Sequence, residues 1–102
     1  MQVWFDPGLS FGKMVKRIRR GIDGLTQKKL AELLGVTDAY ISRLEADKDS
    51  VPTEEMIIKL ASALGVNKYH LVLASGRIPT DFHQVFIEHP ELLEEIIKRI
   101  PD

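Results

Sequence analysis

Arg43, with Asp38, Ala39 and Ser42 just before it, is the group of side chains in this chain best suited to recognition chemistry. A guanidinium presents parallel donors that bond a guanine edge in two places, and an alanine methyl suits a thymine methyl. Ser42 offers a hydroxyl to a flanking base or phosphate. Asp38 either accepts from a cytosine amino group or repels the sugar-phosphate backbone. Spacing sets the direction of each side chain. With Ile41 taken as inward and a turn of about 100° per residue, Leu44, Thr37 and Glu45 lie within about 60° of it. Ala39, Arg43 and Ala46 point the opposite way, with Ser42 on the flank. Small outward residues around one arginine allow close approach to a groove, so base reading is assigned to Asp38, Ala39, Ser42 and Arg43.

The elements that must hold these residues lie in Thr26–Glu45, TQKKLAELLGVTDAYISRLE. Thr26 and Thr37 are each placed to cap a short helix, because a threonine hydroxyl satisfies N–H groups that a helix start leaves unpaired. Gly35 stands where the first helix must end, and glycine takes the left-handed conformation there without steric strain. Leu30, Ala31 and Leu34 share one side of that helix, and Ala31 is small where a second helix crosses. Two short helices about a glycine turn make a helix-turn-helix, whose second helix reads DNA when it is free to enter the major groove. Glu45 heads inward, and a buried carboxylate needs a partner. Arg19, near the end of the preceding helical pattern, is the candidate.

From Phe11 to about Leu73 the chain resembles the Cro/C1-type (XRE-like) helix-turn-helix regulators of bacteria and phages. The residues that carry the resemblance include Phe11-Gly12, Val15-Lys16, Ile18-Arg19, Leu25-Thr26-Gln27, Leu30-Ala31 and Gly35-Val36-Thr37. They continue through Tyr40-Ile41-Ser42-Arg43-Leu44-Glu45, Pro52, Leu60-Ala61 and Ala63-Leu64-Gly65-Val66. The resemblance implies an all-α fold: a compact five-helix lambda-repressor-like domain over residues 10–76, after a tail over 1–9 and before a C-terminal helical extension over 77–102. It also implies that Arg19 and Glu45 pair inside the domain and that Gln27 bonds a DNA phosphate or braces the reading helix. A helix N-terminus favours a phosphate in its own right. Gln27, Lys28, Thr37, Tyr40 and Lys48 are assigned to the DNA backbone. The chain departs from the family at Leu33, where a polar residue is usual and where leucine would widen the buried face. It departs again at Asp47, where aspartate replaces a glycine in a left-handed conformation.

Bulk composition agrees with such a domain. The chain has 102 residues, 44% hydrophobic and 28% charged, which fits one soluble globular unit. No apolar run approaches a membrane span, the N-terminus lacks a signal-peptide layout, and the absence of cysteine is compatible with a reducing cytoplasm. The expected location is cytoplasmic, on the nucleoid when DNA is bound. The net charge is −1, but residues 1–50 carry nine Lys/Arg against seven acids and residues 51–102 five against eight. Basic groups therefore concentrate where the helix-turn-helix lies, enough for modest, salt-sensitive backbone binding.

The flanks are more ambiguous. Trp4 and Phe5 either lid the domain or join a dimer contact. Ser10 caps a helix running to about Gly21, with Phe11, Val15, Ile18 and Ile22 at helical spacing; Lys13, Lys16, Arg17 and Arg20 decorate its other faces. Thr53 starts a fourth helix with Met56, Ile57, Leu60, Ala61 and Leu64 inward, and Asn67 a fifth over Lys68–Ala74. Phe82, Val85 and Phe86 follow on one side of another helix. After Pro90 come Leu92, Leu93, Ile96, Ile97 and Ile100, five large aliphatics within ten residues. They must cover the domain or meet a second chain, and a two-fold interface is favoured. His70, His83 and His89 lack metal-ligand spacing, and no acid/base pair, nucleophile motif or phosphate loop is present. The expected function is a sequence-specific transcriptional regulator, a repressor binding double-stranded DNA as a homodimer, with no enzyme activity, cofactor or membrane partner. The alternative is an antitoxin-like module whose C-terminal helix docks on a protein partner.

Overall fold

Each of the first five helices starts on a side chain that accepts hydrogen bonds from its first turn. Ser10 accepts from Lys13 N, Thr26 from Lys29 N, Thr37 from Tyr40 N and Thr53 from Met56 N, while Asn67 accepts from Tyr69 N and His70 N. Their ranges are α1 Phe11–Arg20, α2 Gln27–Leu34, α3 Asp38–Glu45, α4 Glu54–Leu64 and α5 Lys68–Ala74. Two more follow, α6 Phe82–Glu88 and α7 Pro90–Arg99, neither with a side-chain cap. The computed structural model describes Asp6 and residues 8–102, and among these the fold is all-α. Trp4 and Phe5 lie outside the described residues. Each described helix is shorter and more polar than a membrane span requires.

The core is built from one residue or more of every helix up to α5. Val15, Leu30, Ile41, Ile57, Leu60 and Leu71 are wholly buried. α1 and α2 both pack on α3, α2 also meets α4, and α4 meets α5. The stripe of α4 is deepest at Ile57, Leu60, Ala61 and Leu64, with Met56 at its edge. Two expectations fail at the margins. Leu33 is 56% exposed, so it does not widen the buried face of α2. Ile22 lies beyond the end of α1 and is also exposed, because the helix stops at Gly21 and its periodicity no longer applies.

α1 is locked to the far end of α3 by a contact that needs glycine. A Cβ at Gly12 would stand 2.2 Å from the Leu44 carbonyl oxygen and 2.5 Å from Asp47 Oδ1. Asp47 takes φ of 56°, the left-handed turn that ends α3 while Lys48 N donates back to Arg43 O. In that position its carboxylate reaches the start of α1, where it accepts from Gly12 N at 2.9 Å and from the Ser10 hydroxyl. An anion at a helix N-terminus is favourable there. Gly12→Ala should therefore destabilise the fold by about 1–3 kcal/mol, since the obstructing atom is backbone and cannot rotate away. A urea midpoint equal to wild type would show that α1 slides freely.

The C-terminal extension is attached by its linker, not by its last helix. The Arg77 guanidinium donates to Pro52 O, Thr80 N donates to Glu54 Oε2 at 3.2 Å, and the Tyr69 hydroxyl donates to Asp81 Oδ2 at 2.8 Å. Phe82 continues the docking, its ring 5.7 Å from that of Tyr69 and 6.2 Å edge-on from that of Phe86. Val85 stays exposed, so only the two rings of the expected apolar side are half-buried. α7 then packs on α6, and its Leu92, Leu93, Ile96, Ile97 and Ile100 all stay exposed. The radius of gyration is 15.4 Å. A compact chain of this length would give about 13 Å, so the fold is elongated.

Candidate nucleic-acid interface

α3 is held by a buried carboxylate at its last turn. Glu45 is 4% exposed and Arg19 8%. Arg19 Nε donates to Glu45 Oε2 at 2.6 Å and Nη2 to Oε1 at 3.1 Å, while Nη1 donates to Leu25 O at 3.0 Å. Gln27 Nε2 donates to Glu45 Oε1 at 2.9 Å. Glu45 is thus tied to the end of α1 and to the first turn of α2, and Arg19 in turn to the loop before α2. Charge-assisted, two-pronged bonds of this kind are directional. They set the angle of α3 against the rest of the body. Gln27 spends one amide hydrogen on this bracing, so only the other is left to donate to a phosphate.

The opposite face of α3 is open. Asp38, Ala39, Ser42 and Arg43 are all exposed, and Ile41 and Leu44 are buried beneath them. Around this face, Lys28 and Lys48 are exposed and Gln27 and Tyr40 are half-buried. Thr37 is exposed at the N-cap, where its oxygen accepts from Tyr40 N at 3.0 Å and its proton stays available. Burial, with a smaller effect from the Asp49 charge, pushes the Tyr40 phenol above its ordinary value. Its hydroxyl is therefore a neutral donor at physiological pH. Gly35, at φ 69°, makes the turn that swings α3 away from α2.

Arg43 does not extend freely into solvent. Its Nε donates to both oxygens of Asp49, at 3.1 and 3.0 Å, and Nη2 donates to Oδ1 at 2.6 Å. The hydrogen bond from Arg43 holds the Asp49 carboxyl below the usual carboxylate range and raises the guanidinium further. Asp49 thus stays ionised well into acid, and the pair separates only as pH falls through that lowered value. Sequence reasoning turned Arg43 outward and missed this bond to Asp49. The signal was the left-handed residue at 47, since reversing the chain there brings position 49 back over the last turn of α3. Asp38 makes no comparable bond to Arg43, and no group of three or more His, Asp or Glu among the described residues is arranged to hold a metal ion.

A family model described as helix-turn-helix matches residues 15–71, from within α1 into α5. The HTH-type transcriptional regulator PuuR of Escherichia coli (strain K12) is 35% identical over 89 residues, covering 87% of this chain and 46% of that protein. The uncharacterized HTH-type transcriptional regulator RghRB of Bacillus subtilis (strain 168) is 37% identical over 68 residues, 67% of this chain and 48% of that protein. The chain spans about half the length of these curated relatives. With a family model over more than half its residues and two capped helices set about a left-handed glycine, the chain belongs to the Cro/C1-type (XRE-like) helix-turn-helix family.

Proposed function

We propose that this chain is a sequence-specific DNA-binding transcriptional regulator, a repressor that occupies a two-fold operator as a homodimer. Residues 10–76 are the lambda-repressor-like DNA-binding unit and residues 77–102 the dimerising extension. The observation that carries the reading is the division of α3, whose inner face is clamped through Glu45 while its outer face offers small residues and Arg43 to a groove. Lys28, Lys48, Thr37 and Tyr40 surround that face with phosphate donors. The site of action is the cytoplasm, on the nucleoid. Selection from a random pool of duplex DNA with the purified protein should enrich two inverted half-sites about 34 Å apart, the spacing that places two recognition helices on one face of B-DNA. A pool that stays random after repeated rounds overturns this reading.

Within the selected site, Arg43→Ala should weaken binding by about 1–3 kcal/mol and relax preference at one base pair per half-site. Binding to sites changed only at other positions should fall by the same factor. Unchanged affinity and unchanged preference would remove Arg43 from base reading.

The uncovered apolar face of α7 favours a second reading, in which the chain is an antitoxin-like protein-interaction module that docks on a protein partner. In that case the protein expressed in its own host co-purifies with a partner in fixed stoichiometry, and the pool enriches no DNA. A homodimer with an enriched inverted repeat decides for the regulator.

A further inference from the structure

The guanidinium of Arg43 has two edges that each present a parallel pair of N–H groups, one formed by Nε and Nη2, the other by Nη1 and Nη2. Asp49 occupies the first, through Nε at 3.1 and 3.0 Å and Nη2 at 2.6 Å. Nη1 and the second hydrogen of Nη2 take no part in these bonds. That remaining edge is the pair that meets O6 and N7 of guanine. We propose that Asp49 is a specificity-determining positioning residue, which grips one edge of Arg43 so that the other is presented, already oriented, to a guanine in the major groove. The inference rests on the regulator reading above and assigns it a residue outside the recognition helix.

Two physical consequences separate this role from simple charge. A free arginine on the surface samples many rotamers, and holding it before docking removes much of the ordering otherwise required on binding. At the same time, a carboxylate beside the groove opposes close approach to any phosphate backbone. Guanine at the right position offsets that repulsion through the bidentate contact, whereas other bases do not. Asp49 thus strengthens correct binding relative to incorrect binding, and part of its effect acts against the wrong sites. The pair is suited to this work because both partners are exposed, so it orders the arginine without burying a charge. The short reach from α3 back to position 49 depends on the left-handed backbone of Asp47, itself fixed by its bonds to Gly12 and Ser10.

The test compares wild type, Asp49→Ala, Asp49→Asn, Arg43→Ala and the Arg43→Ala/Asp49→Ala double variant. Each is titrated with the pool-selected site, with the same site altered at the base pair that Arg43→Ala relaxes, and with unrelated duplex. Asp49→Ala should lower the preference for the selected over the altered site about two- to tenfold, the range expected for freeing one long side chain. Affinity for unrelated duplex should hold or rise, and Asp49→Ala should have no effect on preference once Arg43 is absent. Thermal melting of Asp49→Ala should match wild type, which excludes a folding defect as the cause. An Asp49→Ala that binds selected, altered and unrelated DNA tighter by one common factor overturns the inference and leaves the regulator reading standing. So does a preference loss that persists without Arg43. A selected site at which Arg43→Ala relaxes nothing overturns the inference together with the role of Arg43, and a pool that enriches nothing overturns both the inference and the proposed function.

Discussion

Replacing Glu45 with alanine lowers the unfolding free energy by about 3–5 kcal/mol, the loss expected when one member of a buried ion pair is removed. The variant leaves Arg19, 8% exposed, with the Leu25 carbonyl but no counter-charge, and removes the acceptor of Gln27. The guanidinium, its side chain only 10% exposed, is then left mostly out of water with no anion beside it. Against a total stability of about 5–15 kcal/mol for a domain of this size, such a loss brings the protein close to unfolding at physiological temperature. Denaturant titration followed by helical circular dichroism measures it directly. Replacing both partners by apolar residues of similar volume should recover much of the loss, because the penalty lies in the orphaned charge. A Glu45→Ala variant that lost less than about 1 kcal/mol would mean that the pair behaves like a solvated surface bridge, and the clamp on α3 would lose its energetic basis.

The second large effect concerns assembly. Charging the exposed stripe of α7 with Ile96→Glu and Ile97→Glu should convert the proposed dimer to a monomer. Affinity for a two-half-site operator should then fall about 10²–10⁴-fold, the factor by which linking two binding events exceeds one. Melting of the α1–α5 body should change little, because these side chains are 45% and 50% exposed and touch none of the core. Aliphatics at 92, 93, 96, 97 and 100 follow helical spacing and form one stripe, which in water favours association. Sedimentation gives the mass and a binding isotherm gives the affinity. A doubly substituted protein that remained a dimer with full operator affinity would place the interface elsewhere and release α7 for another partner.

Much of this molecule was legible along the chain. The hydroxyl or amide caps at Ser10, Thr26, Thr37, Thr53 and Asn67 act on N–H groups two or three residues away, so their presence in order marks helix starts almost to the residue. Rotation of about 100° per residue was enough to turn Ile41 and Leu44 inward and to leave Ala39 and Arg43 outside. The heading of Glu45 followed from the same rotation. Arg19 needed more: it is 26 residues away, a candidate by its place at the end of the preceding helical pattern whose pairing the family resemblance also implied.

Other features had no local signature. Apolar character suggests a wider buried face at Leu33, and periodicity a buried stripe on α7, yet both are exposed, because exposure depends on whether another element arrives to cover a face. Arg77, Thr80 and Asp81 tie the linker to Pro52, Glu54 and Tyr69, and that anchoring directs α7 away from the core. Asp47 reads as a substitute for glycine in a turn, but its carboxylate also completes the start of α1, 35 residues back in sequence. The sequence by itself therefore determined the helices, their caps and the outward face of α3, all products of interactions within one or two turns. Tertiary structure alone decided that Asp47 closes α1 and that Asp49 grips Arg43. Both depend on a left-handed residue reversing the chain, against α1 in one case and back over the last turn of α3 in the other, and no helical period encodes where such a reversal lands.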